Sequence, residues 1–495
     1  MPTTCKDRRS VVVERDVDVT TRRIAHLHRR AGFGIGGDAL ERAVAAGFDA
    51  ELARLTDLRT AEAATPPTLT PIGEVDPKDR RRLRADAVAL ATWWLGRMVA
   101  TEQPWREKLT LLWHGHFATS IQKVHVAKLM YDQNALFRTQ GGGDFEALTQ
   151  AVAKDPAMLL WLDSNTNRRG HPNENFAREL MELFTLGIGN YGEGDVQEAA
   201  RAFTGWTLDR STGEFRFRPR LHDDGSKTVL GRTGAFGGED VIRQVTTSPA
   251  CARFVTAKLW SHLAYPVTPD HPVVASLVTE APLDVGALAS RIFRHPEFVS
   301  DAAQQGLVKQ PIEYVVGVLR AVGRSGAVVE GRGPFLLATL QALGQVPFAP
   351  PSVGGWGQNG YWLSSASSLA RLRFATVVAA TVPVPAVEDA SRGDRPDAMA
   401  HVLGVEWSSA TATALQSVAD DPRALVALAF VAPESVLSLW GSRAARSSPV
   451  GSQRSAPRPS SATPSHRCST TRRRLPRPPT IRCSCWSRST AATTA

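Results

Sequence analysis

A chain of 495 residues with 43% hydrophobic residues and 12 tryptophans can bury one large core or two to three smaller ones. Its formal charge of +10 is uneven: residues 441–495 hold 11 arginines, no lysine and no acidic residue, which leaves 47 basic against 48 acidic groups, a net −1, over the first 440. The body therefore lacks the basic surface that nucleic-acid binding needs, no apolar run reaches the ~18 residues of a membrane-spanning helix, and with only Cys5 and Cys251 ahead of the tail neither a disulfide framework nor a cysteine zinc site is indicated.

Residues 1–20 are expected to lack regular structure. Ser10–Val13 is too short an apolar run for a signal peptide, which makes the cytoplasm the expected compartment; a misassigned start codon would hide an export signal. From Thr21 a helix, a glycine-rich turn at Gly32–Gly37 and a second helix from Asp38 are predicted. The turn follows no strand, so its G-x-G-x-G pattern reads as a capped turn between helices rather than a dinucleotide site. A proline-rich loop over 56–78 leads to a long helix from about Pro77 to Thr101, with Leu83, Ala87, Leu90 and Trp94 inward.

Pro104 opens the helix PWREKLTLLWHGHFATS, in which His114 and His116 are candidate metal ligands. Two residues apart on a helix, they point about 200° from each other, and could share an ion only if the segment bends at Gly115. The plainer reading makes His116 a hydrogen-bonded core residue and leaves His114 facing outward. Helices are predicted from about Val124 to Phe137 and from Asp144 to Lys154.

The stretch from Asp155 to Trp206 holds the densest set of placed polar groups. Asn173 is placed to cap a helix from Glu174 to Leu186, with Phe176, Leu180, Leu183 and Phe184 on its buried stripe and Glu174, Arg178, Glu179 and Glu182 elsewhere. Gly187 ends it, and Asp195 and Glu198 form a capping box for the next helix. Glu174 and Glu179 suit general acid/base work, or Glu179 metal ligation beside His114 and His116; the alternative is a solvated face with an Arg178–Glu182 pair.

Asp209–Gly213 is predicted to turn a hairpin into a strand at about Phe215–Pro219, and the polar loop HDDGSKTVLG to feed a second at Lys227–Leu230. His222, Asp223 and Lys227 are further candidate catalytic groups, or else members of a loop held by its own Asp side chains. More helices follow at 238–245, 249–263, 284–294, 312–322 and 334–344. The loop QVPFAPPSVGGWGQNGYWLSS offers Trp356, Tyr361 and Trp362 as an aromatic wall or a lid. Val382–Asp394 reads as a linker and 408–440 as two or three closing helices. The Arg/Pro/Ser/Cys-rich segment from 441 reads as a disordered basic tail or as GC-rich DNA translated out of frame.

Eight ordered blocks carry a resemblance. HLHRRAGFG (26–34), LLWHGHFATS (111–120), AKDPAMLLWLD (153–163), PNENFARELMELFTLGIGNY (172–191), DVQEAARAFTGW (195–206), HDDGSKTVLG (222–231), KQPIEYVVGVLR (309–320) and LGQVPFAPPSVGGWGQNGYW (343–362) resemble the bacterial family called domain of unknown function 1800 over about residues 22–440. The resemblance implies no settled activity. It implies an envelope or extracellular setting for many members, and adjacent genes for a second, sulfatase-like family.

The sequence thus predicts a mainly α protein: one large multi-helix domain over 21–440, a small β-hairpin insertion at about 206–231, and a tail. Two functional readings follow. In the first it is a metal-assisted or acid/base hydrolase, in which His114, His116 and Glu179 hold a divalent ion that activates water, while Arg178 or Lys227 stabilises developing negative charge, with Glu174, His222 and Asp223 nearby. In the second it is a helical scaffold for a protein partner encoded nearby, the same charges being caps and ion pairs.

Overall fold

A computed structural model describes residues 8–437 apart from 60–64, 210, 279–281, 324–328 and 330, with 8–18 described by backbone alone. The expectations for the tail from 441 and for residues 1–7 lie outside these residues. Twenty-four α-helices and four short strands are present among them. The first helices are α1 (Arg8–Arg30), α2 (Gly37–Ala46) and α3 (Phe48–Thr56). The backbone is helical from Arg8, so α1 includes more than half of the stretch expected to lack structure.

Next come α4 (Arg80–Ala100), α5 (Pro104–His116), α6 (Ile121–Val124), α7 (Ala127–Gln140), α8 (Phe145–Ala153) and α9 (Pro156–Trp161). The central stretch supplies α10 (Asn175–Glu179), a π-helical turn over Leu180–Thr185, and α11 (Glu193–Ala202). The insertion holds two antiparallel hairpins, β1 (Trp206–Asp209) with β2 (Glu214–Phe217) and β3 (Lys227–Val229) with β4 (Arg232–Gly234), registered by Trp206 opposite Phe217 and Lys227 opposite Gly234. The sequence reading lacks β4, a three-residue strand whose Arg-Thr-Gly carries no apolar alternation.

After the hairpins follow α12 (Gly238–Thr246), α13 (Pro249–Leu263), α14 (Pro272–Leu277), α15 (Val285–Arg294) and α16 (Asp301–Gln305). The last set is α17 (Pro311–Val322), α18 (Gly333–Leu343), α19 (Ser365–Thr381), α20 (Pro385–Glu388), α21 (Arg395–Leu403), α22 (Ser409–Ser417), α23 (Pro422–Val431) and α24 (Pro433–Val436). Many starts are chemically marked: Asp144, Asp155, Ser248 and Asp284 each accept from a first-turn N–H. Pro249, Pro311 and Pro422 sit at first helical positions, where a missing N–H costs nothing.

Two large apolar clusters hold the fold. One gathers Trp105, Trp113, Phe117, Phe145, Phe184, Trp206, Trp260 and Phe293; the other gathers Trp94, Met130, Tyr314, Leu340, Phe348, Phe374 and Phe430. Helix α5 supplies both, Trp105, Leu109, Leu112 and Trp113 to the first and Leu111 to the second, and every residue from Pro104 to His114 is buried. At ~1.5–3 kcal/mol per buried Leu or Phe, it anchors the core on both sides. Its buried Glu107 is satisfied by Arg97 Nε at 2.5 Å, Arg138 Nε at 2.6 Å and Trp94 Nε1 at 2.8 Å.

Candidate functional site

The position of α5 decides the histidine question. With packed side chains on both sides, residues pointing in opposite directions are both buried, so His114 lies inside rather than outward as expected. His114 Nε2 accepts from the Phe348 N–H at 3.0 Å, with its ring among Trp94, Phe348 and Trp356. His116 Nε2 donates to the Phe184 carbonyl at 3.0 Å, with its ring among Phe117, Phe145, Phe184 and Phe254. Burial lowers both to about 3, so both are neutral core groups. Gly115 between them meets the 345–365 loop: a Cβ on Gly355, whose φ is +75°, would lie 2.1 Å from the Gly115 carbonyl oxygen. The two rings therefore face different cores and do not converge on Glu179. Among the described residues no group of three His, Cys, Asp or Glu side chains is disposed to hold a metal ion.

The central stretch departs locally from a single capped helix. Asn173 Oδ1 accepts from Asn175 N at 2.9 Å, α10 then lasts one turn, and the backbone widens into the π-helical turn. There Thr185 Oγ1 donates to the Leu180 carbonyl, and the Leu186 and Gly187 N–H groups both reach the Met181 carbonyl. Arg178 does not pair with Glu182. It bonds Glu174 at 2.9 Å and Glu193 at the start of α11, and these carboxylates hold its guanidinium above its ordinary range. Glu182 instead accepts from the Tyr191 hydroxyl at 2.8 Å. The Glu179 carboxylate is half-buried and makes no hydrogen bond among the described residues; burial, then the Glu182 carboxylate, raises its pKa.

Helix α11 starts two residues before its expected box. Gly192 is its N-cap, and Asp195, in the third helical position, accepts from Gly192 N at 2.8 Å. Asp195 also takes the Leu230 N–H at 2.7 Å, and Glu198 takes the Thr228 N–H at 3.1 Å, so α11 fixes β3 by its side chains. Arg201 bonds Asp223 at 2.8 Å and Glu198 at 2.8 Å, and draws the Asp223 carboxyl down to about 2. Lys227 is buried, and its Nζ donates to the Asp223 and Gly225 carbonyls at 2.6 and 2.9 Å; burial lowers its pKa. His222 Nδ1 donates to the Thr204 carbonyl at 2.8 Å. The loop is thus held largely by its own groups and by α11.

The two charged blocks meet opposite ends of α11. Arg178 reaches Glu193 at its start, and Asp223 reaches Arg201 near its end, eight residues or roughly 12 Å apart at 1.5 Å per residue. Glu174 and Arg178 come together; so do Asp223 and Lys227; the two sets do not share a cleft. The sequence reading missed another ionisable group entirely: Arg29 and Arg30 on α1, Lys108 on α5, and Lys309 and Glu313 at the start of α17. The doubled arginine of HLHRRAGFG was the available signal, since an apolar helix face rarely buries two adjacent cations.

A family model described as "Protein of unknown function (DUF1800)" matches residues 26–437. No curated protein and no solved structure matches the chain.

Proposed function

The chain belongs to the DUF1800 family, and from that premise we propose that it is a non-catalytic helical scaffold that docks a protein partner, the product of an adjacent sulfatase-like gene. One observation carries the reading: an apolar strip remains exposed beside α19 and along it. Tyr361, Leu363, Leu369, Leu372 and Val377 are 62, 50, 48, 46 and 40% exposed. Ala370, Phe374, Ala375 and Val378 on the opposite face are buried in the second core. Adjacent exposed apolar groups of this size mark an interaction surface. The internally bonded state of Glu174, Arg178, Asp223 and Lys227 accords with structural roles for them.

The test is co-expression with the adjacent gene product. The reading expects a 1:1 complex with the wild-type chain and none with Leu369→Glu/Leu372→Glu, whose circular dichroism stays native. A wild-type chain that purifies alone, or a variant that still binds, refutes it.

A second reading keeps the acid/base hydrolase on an envelope substrate, supported by Glu179, a half-buried carboxyl with raised pKa and no bonded partner among the described residues, next to a π-helical turn. It requires Glu179→Gln to abolish hydrolysis in a screen of glycosides and esters. A metal-assisted version lacks support, because His114, His116 and Glu179 form no group disposed to hold a metal ion among the described residues.

A further inference from the structure

A small polar recess of about 20 Å³ is lined by Arg30 at the end of α1, Lys108 on α5, His262 near the end of α13, Glu313 in the first turn of α17, and Gln358 and Asn359 of the Trp/Gly loop. One water needs about 10–15 Å³ of such space, so the recess suits a single water-sized body or a monatomic ion rather than an organic ligand. Three of the blocks named above, HLHRRAGFG, KQPIEYVVGVLR and LGQVPFAPPSVGGWGQNGYW, meet here.

The lining has a donor left over. Arg30 is 3% exposed. Its Nη2 donates to the Ala303 carbonyl at 2.6 Å, but its buried Nε has no hydrogen-bond partner among the described residues. Leaving a buried charged donor unmatched is costly. Lys108, also buried, gives one N–H to Glu313, and an ammonium has three. Glu313 is further occupied by the Gln310 N–H at 3.2 Å. His262 adds no charge: burial holds it neutral, with Nδ1 donating to the Lys258 carbonyl at 2.8 Å and Nε2 accepting from Gln358 at 2.9 Å. The recess is therefore lined by two cations and one carboxylate, an excess of one positive charge. A water molecule would satisfy the Arg30 Nε–H and leave that charge; a monovalent anion answers both. Phosphate and sulfate exceed the space and the charge.

We propose that this recess is a binding site for a monatomic anion of the chloride class, held by the Arg30 Nε–H and a Lys108 N–H. It depends on neither the α19 strip nor Glu179. The test is thermal unfolding of the full chain in sodium chloride against sodium methanesulfonate, mixed at constant ionic strength. The wild-type melting temperature is expected to rise by about 1–2 °C for each tenfold increase in chloride above the dissociation constant. Arg30→Lys keeps the charge but lacks the Nε–H, and is expected to weaken chloride binding by about tenfold or more. The 11 arginines of residues 441–495 are common to both chains, so the comparison isolates the recess. A wild-type melting temperature indifferent to the chloride fraction, or an equal rise in Arg30→Lys, overturns the proposal. Should Arg30→Lys fail to fold, wild-type crystals grown in bromide decide. An anomalous peak within hydrogen-bond reach of Arg30 Nε and Lys108 Nζ supports the site, and a water without anomalous signal overturns it.

Discussion

Three buried histidines and a half-buried one make stability depend steeply on mild acid. His26, His114, His116 and His262 are all held neutral, principally by burial, with His114 and His116 at about 3 and His262 at about 4. Each folded pKa lies below the unfolded value near 6.5, so the unfolded chain binds more protons as pH falls through 6.5 and stability drops. From pH 7.5 to pH 5 each of His114, His116 and His262 costs about 2 kcal/mol, since its unfolded form is mostly protonated at pH 5 while its folded form is not; His26 acts in the same direction. Together these three cost about 6 kcal/mol, comparable with the ~5–15 kcal/mol stability of a typical domain. Carboxylates such as Glu51 and Asp223, held at about 2, contribute little above pH 5, because their unfolded forms are still largely ionised there. The assay is urea unfolding followed by tryptophan fluorescence at pH 7.5, 6.5 and 5.0. The midpoint is expected to fall steeply, and in His114→Gln/His116→Gln the pH-dependent part is expected to shrink by about half. A wild-type midpoint that does not move between pH 7.5 and 5.0 refutes the reasoning.

Other outcomes follow from single contacts. Lys227→Met leaves the Asp223 and Gly225 carbonyls without their donor and should cost about 1–3 kcal/mol in urea unfolding, with the loop 222–231 becoming protease-sensitive. Asp155, pushed up to about 7 mainly by burial, accepts from Met158 N and Gln133 Nε2; its folded pKa is raised, so ionisation costs stability as pH climbs from about 4 to 7. Asp155→Asn keeps an acceptor and removes that cost, so its melting temperature relative to wild type should rise between pH 5 and pH 8. Gly355→Ala forces a Cβ to within 2.1 Å of the Gly115 oxygen at positive φ, and should lower stability by about 3 kcal/mol or more in the same unfolding assay. Leu369→Glu/Leu372→Glu changes only exposed positions and should shift stability by less than about 1 kcal/mol.

The helical body was legible because its elements are strongly marked: α5 by Pro104 and its Trp/Leu spacing, α13 by Ser248-Pro249, α15 by Asp284. The hairpin at Trp206–Phe217 was legible from its turn and alternation. The π-helical turn was not, because nothing in LMELFT distinguishes a widened turn from an ordinary one before tertiary packing acts. Helix α19 was passed over between the Trp/Gly loop and the supposed linker, although Ser364 caps it. The candidate site was legible as residue types but not as an assembly. Spacing placed His114 and His116 on opposite sides of a helix; only the second core facing α5 explains why both are buried. Arg178 could pair with Glu182 along the chain, but Glu193, brought near by the turn before α11, takes it instead. Lys309 and Arg29 lie 280 positions apart, and no local pattern connects them.

Hydrogen–deuterium exchange on the co-purified complex, against the chain alone, tests the scaffold claim most directly. The account predicts slowed exchange concentrated in peptides covering 361–380, with the 172–191 and 222–231 segments unchanged. Protection centred on Glu179 and the 222–231 loop, with 361–380 unaffected, would contradict it.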